Sequence, residues 1–257
     1  MTVLLVDVGN SRIKWARYDE GRLGKAHAAM YVSWRTADYV RRMFRAGRAP
    51  QRALVASVAA PRVNTALSAA ARRVGVRSQL IRVPRRAGGV TVGYAEPWRL
   101  GVDRFVAAVG AHQLFRGVAV CVVGIGTAMT IDLIQADGRH RGGVIIPAPA
   151  LMVDALLTQT HGIRRRAHGG LAAGAGLFGR STRAAIDLGS RYAAAALIDR
   201  AVEEARLLLG RKPLAVLTGG EAPSVRPLVQ SPCVGVPDLV LRGLAVLAHE
   251  QRPLHRR

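Results

Sequence analysis

The sequence predicts an α/β protein built from two lobes of similar topology. One observation is the opening stretch: Val3 to Val6 is an apolar run that meets Asp7, then a Gly9-Asn10-Ser11 corner, then an alternating segment. That is the pattern of a buried strand, a tight turn and a returning strand. A second is the recurrence of this pattern at Val118 to Val123, Gly124-Ile125-Gly126-Thr127 and Ala128 to Ile134, each copy opening a three-stranded meander. A third is the alternation of helical and strand periodicities after the first copy, as expected of helices laid on a mixed sheet. The expected division is 1–115 and 116–257.

In chain order, Gly9-Asn10 suits the positive-φ conformations of a hairpin turn. After the turn, Ile13, Trp15 and Arg17 fall on one side and Arg12, Lys14 and Ala16 on the other. Leu23 to Ser33 reads as a third strand, and Arg35 to Arg45 as a helix with Tyr39, Val40, Met43 and Phe44 on one side. Ala53 to Val58 is a compact buried strand, Arg62 to Val74 a helix, and Gln79 to Val83 a short strand closed by Pro84. Arg85 to Arg99 is irregular, a loop of the kind that a rigid scaffold presents for function. Gly101-Val102-Asp103-Arg104 opens a helix running to Phe115.

In the second lobe, Ala136-Asp137-Gly138 makes a turn before a strand from Gly142 to Pro147, and a helix follows from Ala150 to Gln159. Arg164 to Gly179 is a basic, glycine-rich connector. A long Ala-rich helix covers Ser181 to Leu209, Pro213 to Leu217 is a buried strand ending in Thr218-Gly219-Gly220, and the last helix covers Asp238 to His249.

The chain has 257 residues, half of them hydrophobic, so it can bury a sizeable core. Its net charge of +22 favours anionic ligands without naming one. Nearly all of that charge is arginine; Lys14, Lys25 and Lys212 are the lysines. The arginines are dispersed, with tight clusters at Arg164-Arg165-Arg166 and Arg256-Arg257, and four Phe, five Tyr and three Trp are few for a base-stacking surface. Two unpatterned cysteines, Cys121 and Cys233, suit a reducing compartment and exclude a multi-cysteine zinc site. The first residues carry no basic leader, so no signal peptide is expected. The uncharged run Gly117 to Ile131 is shorter than the roughly 20 residues that span a bilayer. A soluble cytoplasmic protein is the expectation.

Asp7 is the unusual residue of the opening strand, because a carboxylate ending an apolar run must be paired, metal-associated or at a cleft mouth. Taken alone, the segment reads equally as a plain hairpin with a solvated turn or as a phosphate loop. In the latter, the turn's amides hold an anion, Lys14 offsets its charge and Asp7 carries magnesium through water. Asp103 reads as an ordinary carboxylate near a helix N-cap, or as a base at a helix mouth with Arg104 beside it as an anion clamp.

Other phosphate motifs fail on context. No Gly-x-x-x-x-Gly-Lys-Ser/Thr is present. Gly174-Ala175-Gly176-Leu177-Phe178-Gly179 matches the dinucleotide fingerprint but follows a basic connector rather than a buried strand. Gly124-Ile125-Gly126 follows the right strand, yet Met129 stands at the third glycine and a strand comes next, against a Rossmann site. Two hairpins and a strand-ending Thr218-Gly219-Gly220 remain.

Six segments together resemble the type III pantothenate kinases, the family that includes the Bvg accessory factor proteins. They are Asp7-Val8-Gly9-Asn10-Ser11-Arg12-Ile13-Lys14, Gly101-Val102-Asp103-Arg104, Gly126-Thr127-Ala128-Met129-Thr130-Ile131-Asp132, Gly142-Gly143-Val144-Ile145-Ile146-Pro147, Ser181-Thr182-Arg183-Ala184-Ala185-Ile186 and Thr218-Gly219-Gly220. The resemblance implies two ribonuclease H-like lobes around a nucleotide cleft, the fold of acetate and sugar kinases, heat-shock chaperones and actin. It implies ATP-dependent phosphorylation of pantothenate to 4'-phosphopantothenate, the first committed step towards coenzyme A. Asp7 to Lys14 would be the first phosphate loop, Thr127 would touch ATP, and Asp103 would be the base. Gly101, Val102, Asp103 and Arg104 would line the pantothenate pocket with Tyr94 and Thr182. A homodimer using magnesium and a monovalent cation, potassium or ammonium, is implied as well.

Two positions depart from the family pattern. Gly124 stands where an acid usually holds the monovalent cation, so weak potassium dependence or a site built otherwise is expected. Ala148 replaces a glycine after Pro147, which implies a slightly altered backbone. The competing readings are an accessory-factor-type regulator associated with nucleic acid, which the dispersed arginines disfavour, and a kinase of this fold acting on another small alcohol. Asp19, Asp137, Asp154 and Asp187 are read as non-catalytic and Asp132 as structural or supporting; His161 and His168 lack metal-ligand spacing.

Overall fold

A computed structural model describes residues 2–45, 49–167 and 176–251. Parts of the basic connector, with His168 and Gly174, and the terminal Arg256-Arg257 lie outside the described residues. Two compact units emerge. One comprises Met1–Gly117, Ala136–Arg141 and Asp238–Arg257, the other Val118–Gln135 and Gly142–Pro237. The last helix and a short turn group with the first unit.

The chain opens with β1 (Val3–Val8), β2 (Arg12–Asp19), β3 (Arg22–Leu23) and β4 (His27–Met30). The single strand expected over Leu23 to Ser33 is thus two pieces. Gly24 breaks it, its amide donating to the Arg17 carbonyl at 2.8 Å. Next come α1 (Thr36–Tyr39), continued by a π turn over Val40–Phe44, then β5 (Arg52–Ser57), α2 (Pro61–Arg73) and β6 (Arg77–Leu80). The last strand starts two residues before the expected Gln79 and ends before Val83. The irregular stretch holds a small hairpin, β7 (Arg86–Ala87) and β8 (Val90–Thr91), turned by Gly88 at φ 59° and Gly89 at φ 78°. Then comes α3 (Val102–Leu114).

The first sheet has the order β3-β2-β1-β5-β6, with β4 also on β2. Its central strand β1 is antiparallel to β2 and parallel to β5. A strand covered on both faces must be apolar throughout, which is why Val3 to Val6 is an unbroken apolar run. Leu4, Val6 and Val8 pack with Ile13, Val55, Met43, Phe44 and Leu67 on one face.

The second unit holds β9 (Val120–Ile125), β10 (Ala128–Ile134), most of β11 (His140–Pro147), α4 (Pro149–Gln159), α5 (His161–Arg166), α6 (Thr182–Leu209), β12 (Leu214–Thr218), α7 (Ala222–Val225) and β13 (Cys233–Gly235). Its sheet order, β11-β10-β9-β12-β13, repeats the scheme of the first: a meander beside the first strand, then two parallel strands on its other side. The Ser181 hydroxyl caps α6 by accepting from the Ala184 amide at 3.1 Å, and Gly210 ends it in the left-handed region. Ala194, Ala195, Ile198 and Val202 of α6 pack on Val123, Ile125 and Leu217. Sequence periodicity overlooked the helix that runs into the basic connector and the short strand that carries Cys233, because both are too brief to show a period. Burial pushes the Cys121 thiol up to about 12, so it is inert as a nucleophile.

The final helix, α8 (Leu239–Glu250), packs on α3 in the first unit. Glycines make that approach possible: a Cβ on Gly243 would lie 1.9 Å from the Val106 carbonyl oxygen, and one on Gly110 2.6 Å from that of Leu239. Among the described residues no helix is long and apolar enough to cross a membrane.

Candidate active site

Asp7 lies near the carboxyl end of the central strand β1, with Lys14 on β2 and Ala56 on β5 as its register partners. Burial pushes its carboxyl up to about 7; Lys14 opposes the rise, while Asp103 and Asp238 add to it. The sequence therefore brings three carboxylates and one ammonium together in the first unit. Asp238 is the member that the sequence reading missed, because a Pro237-Asp238 pair before an apolar helix looks like an ordinary N-cap.

The turn from Asp7 to Lys14 is built differently from the expectation. Among the described residues, the non-glycine residues with positive φ are Glu20 and Asp238, and neither Gly9 nor Asn10 enters that region. Val8 and Ile13 close the ladder around a longer loop, within which the Gly9 amide donates to the Arg12 carbonyl at 3.0 Å. With the turn spread over Gly9, Asn10, Ser11 and Arg12, no residue has to adopt the mirror-image backbone of a two-residue hairpin. A Cβ on Gly9 would stand 3.3 Å from the Arg12 oxygen, so the glycine serves closeness. Tyr31 supports the loop from beneath: its hydroxyl lies 2.5 Å from the Gly9 carbonyl oxygen and 3.0 Å from that of Asn10.

Gly101 is the N-cap of α3, which places Val102 first in the helix and Asp103 in its first turn. The Arg104 amide donates to Asp103 Oδ1 at 2.9 Å. A Cβ at Gly101 would come within 2.7 Å of that same oxygen, so glycine is what leaves room for the carboxylate. Arg104 is 8% exposed, with one guanidinium nitrogen 3.3 Å from the Tyr94 hydroxyl. Two residues that the sequence did not flag hold Tyr94. Arg85 donates to the carbonyls of Val92, Tyr94 and Ala95 at 3.3, 2.7 and 2.6 Å. His140, 1% exposed, sets its ring 5.5 Å from that of Tyr94 and accepts from the Gly93 amide at 3.4 Å. No spacing in the sequence signals either, since both reach Tyr94 only through the fold. Tyr94, Gly101, Val102, Asp103 and Arg104 thus cluster within the first unit.

Thr127 and Thr182 belong to the second unit. Thr127 stands in the Gly126-Thr127 turn between β9 and β10, its carbonyl accepting from the Ala148 amide at 3.3 Å. Thr182 is the first residue of α6, directly after its Ser181 cap. Next to the β9 end, Gly219 follows β12 at φ 103°, where a Cβ would lie 2.2 Å from the Ile125 carbonyl oxygen. No side chain fits, which is the physical content of Thr218-Gly219-Gly220. Gly124 pairs with Thr130 and Thr218, leaving no carboxylate at that point of the strand.

The family model for type III pantothenate kinase matches residues 3–204. A type III pantothenate kinase of Stenotrophomonas maltophilia (strain K279a) is 37% identical over 251 residues, covering 98% of this chain and 99% of the relative. One from Nitrosococcus oceani is 34% identical over 259 residues, covering 99% and 96%. Among solved structures, a Campylobacter jejuni protein assigned to the Baf family of transcriptional activators superposes with a TM-score of 0.57 at 18% identity, covering 96% of this chain and 98% of that one, a likeness of fold alone. The two like-ordered sheets are those of the acetate and sugar kinase, heat-shock chaperone and actin superfamily. With the matched segment spanning most of its length and relatives above 30% identity along nearly all of it, the chain belongs to the type III pantothenate kinase family.

Proposed function

We propose that this chain phosphorylates pantothenate at the expense of ATP, yielding 4'-phosphopantothenate for coenzyme A synthesis. The observation that carries the reading is the first unit's juxtaposition of Asp7, Lys14 and Asp103 through their charges. Phosphoryl transfer asks a protein mainly to align its reactants and to neutralise charge, with a base to orient the attacking hydroxyl. Asp103, at the mouth of α3, is the base that accepts the hydroxyl proton as that oxygen bonds to the γ-phosphorus of ATP and the bridging oxygen leaves with ADP. Arg104 is the guanidinium that meets the pantothenate carboxylate, Tyr94, Gly101 and Val102 line the pocket beside it, and Thr182 is a further residue assigned to pantothenate. Val8, Gly9, Asn10, Ser11, Arg12 and Ile13, with Asp7 and Lys14 at either end, form the loop for the ATP phosphates, and Thr127 is a further contact to ATP.

Magnesium, when bound, shields phosphate charge. Asp7 suits it, because magnesium sites commonly use one or two carboxylates together with the substrate's phosphates. A homodimer is part of the same reading. Val144, Ile145 and Leu151 of the second unit, 45%, 60% and 40% exposed, offer apolar surface for it.

Coupled ADP release with pantothenate, set against a panel of sugars and small alcohols, tests the proposal. Release that depends on pantothenate is expected. Release with another alcohol and none with pantothenate overturns the substrate.

A further inference from the structure

We infer that Asp238 is a positioning residue for the phosphate loop: it fixes the Lys14 ammonium for the nucleotide. The inference rests on the kinase reading above and deepens it. Lys14 Nζ lies 3.0 Å from Asp238 Oδ1, a pair formed between residues 224 positions apart. Both side chains are half-buried, 27% and 30% exposed, so the pair is shielded from solvent more than a surface bridge is.

Two features of Asp238 mark the pair as more than an incidental contact. The residue occupies the N-cap of α8, the seat in which an aspartate ordinarily accepts from the amides of the first helical turn. Here its side chain makes no cap hydrogen bond; the carboxylate is turned to Lys14 instead. Its backbone also sits in the left-handed region, at φ 56° and ψ 35°, which among residues with a Cβ aspartate and asparagine adopt more readily than most. The helix start therefore forgoes a side-chain cap, and the carboxylate it presents goes to Lys14.

The neighbours explain why such a tether is needed. Lys14 is the direct register partner of Asp7, and Asp103 also lies within electrostatic range of Asp7. A four-carbon side chain between the Asp7 and Asp238 carboxylates has more than one place to rest. Asp238 selects one. Because α8 is packed on α3 through Gly110 and Gly243, the selecting carboxylate is anchored at the start of a rigid element.

The test uses Asp238→Asn, which keeps side-chain size and a residue that tolerates the left-handed backbone, together with Lys14→Met and the double variant. Magnesium-ATP binding is measured by calorimetry, and steady-state constants by ADP release. For Asp238→Asn, about tenfold weaker ATP binding and a matching fall in kcat/KM for ATP are expected, with KM for pantothenate unchanged. In the Lys14→Met background the second substitution is expected to add nothing, since it acts through Lys14. Unchanged or tighter ATP binding by Asp238→Asn overturns the inference, as do additive effects in the double variant. The titration reads the tether directly. A wild-type chain that binds ATP but ignores pantothenate therefore refutes the substrate proposal and leaves the Asp238 comparison decisive.

Discussion

Asp7 at the end of β1 and Asp103 in the first turn of α3 are coupled: burial is the chief cause of the raised Asp7 carboxyl, and the Asp103 charge adds to it against the pull of Lys14. Two carboxylates set in such different surroundings suit different tasks, one near the metal and phosphates and one near the hydroxyl.

Removing the proposed base tests that division. Asp103→Asn keeps the volume beside Gly101 and is expected to fold with an unchanged melting temperature. Turnover should fall by about 10²–10⁴-fold, the usual contribution of general-base help. Near-normal phosphorylation of pantothenate by this variant would remove Asp103 from the chemistry.

The Asp7 carboxyl also links stability to pH. Its folded pKa of about 7 lies above the ordinary 3.8, so between those values the native state holds the proton more tightly than the unfolded chain. Stability contributed by the protonated form is complete below the lower value and lost as pH rises through the upper one. Asp7→Asn should therefore match wild type near pH 4 and exceed it at pH 8, by an amount on the order of 3 kcal/mol or less. Urea unfolding in EDTA across that range is the measurement. A wild type that gains stability relative to the variant as pH rises would contradict the burial of this acid.

The same substitution has a catalytic reading. Asp7→Asn should shift the magnesium dependence of ADP release to much higher concentrations, because a neutral amide holds a hydrated dication poorly. An unchanged magnesium titration argues against Asp7 as its holder.

Gly243→Ala probes the seat of α8. At an ordinary helix position this change stabilises by up to about 1 kcal/mol through propensity. Here the added methyl would meet the Val106 carbonyl oxygen at 1.9 Å, so the sign should reverse, with a loss of about 3 kcal/mol as the helices are forced apart. Thermal unfolding reads it, and a melting temperature at or above wild type would show that α8 moves freely on α3.

Gly124 bears on the monovalent cation. It pairs with Thr130 and Thr218 in the second sheet and supplies no carboxylate. Turnover is expected to persist when sodium replaces potassium; a collapse would show that other groups build the cation site.

Much of this was legible before any coordinates. Apolar runs of four to six residues ending at Asp7 and Gly124 marked the two central strands, since strands buried on both faces tolerate little else. Asp103 was placeable because a glycine and an acid at a helix start are local signals. The turn at Gly9-Asn10 misled, because dipeptide preference assumes a two-residue hairpin and the ladder closes around a longer loop. The split of Leu23 to Ser33 into β3 and β4 was hidden because Gly24 breaks a strand without changing its polarity pattern.

The sequence by itself determined the two strand–turn–strand openings and the alternation of helices and strands that follows the first, because local periodicity and glycine placement act over a few neighbouring residues. Only the tertiary structure decided which charges meet. The last helix belongs to the first unit rather than to the lobe in which the chain order puts it, and that return brings Asp238 to Lys14. His140 likewise reaches Tyr94 from a strand that otherwise serves the second sheet. Such meetings depend on how far the chain folds back before it packs, and the glycines that permit the close approach of α3 and α8 take their meaning from a partner that the sequence does not name.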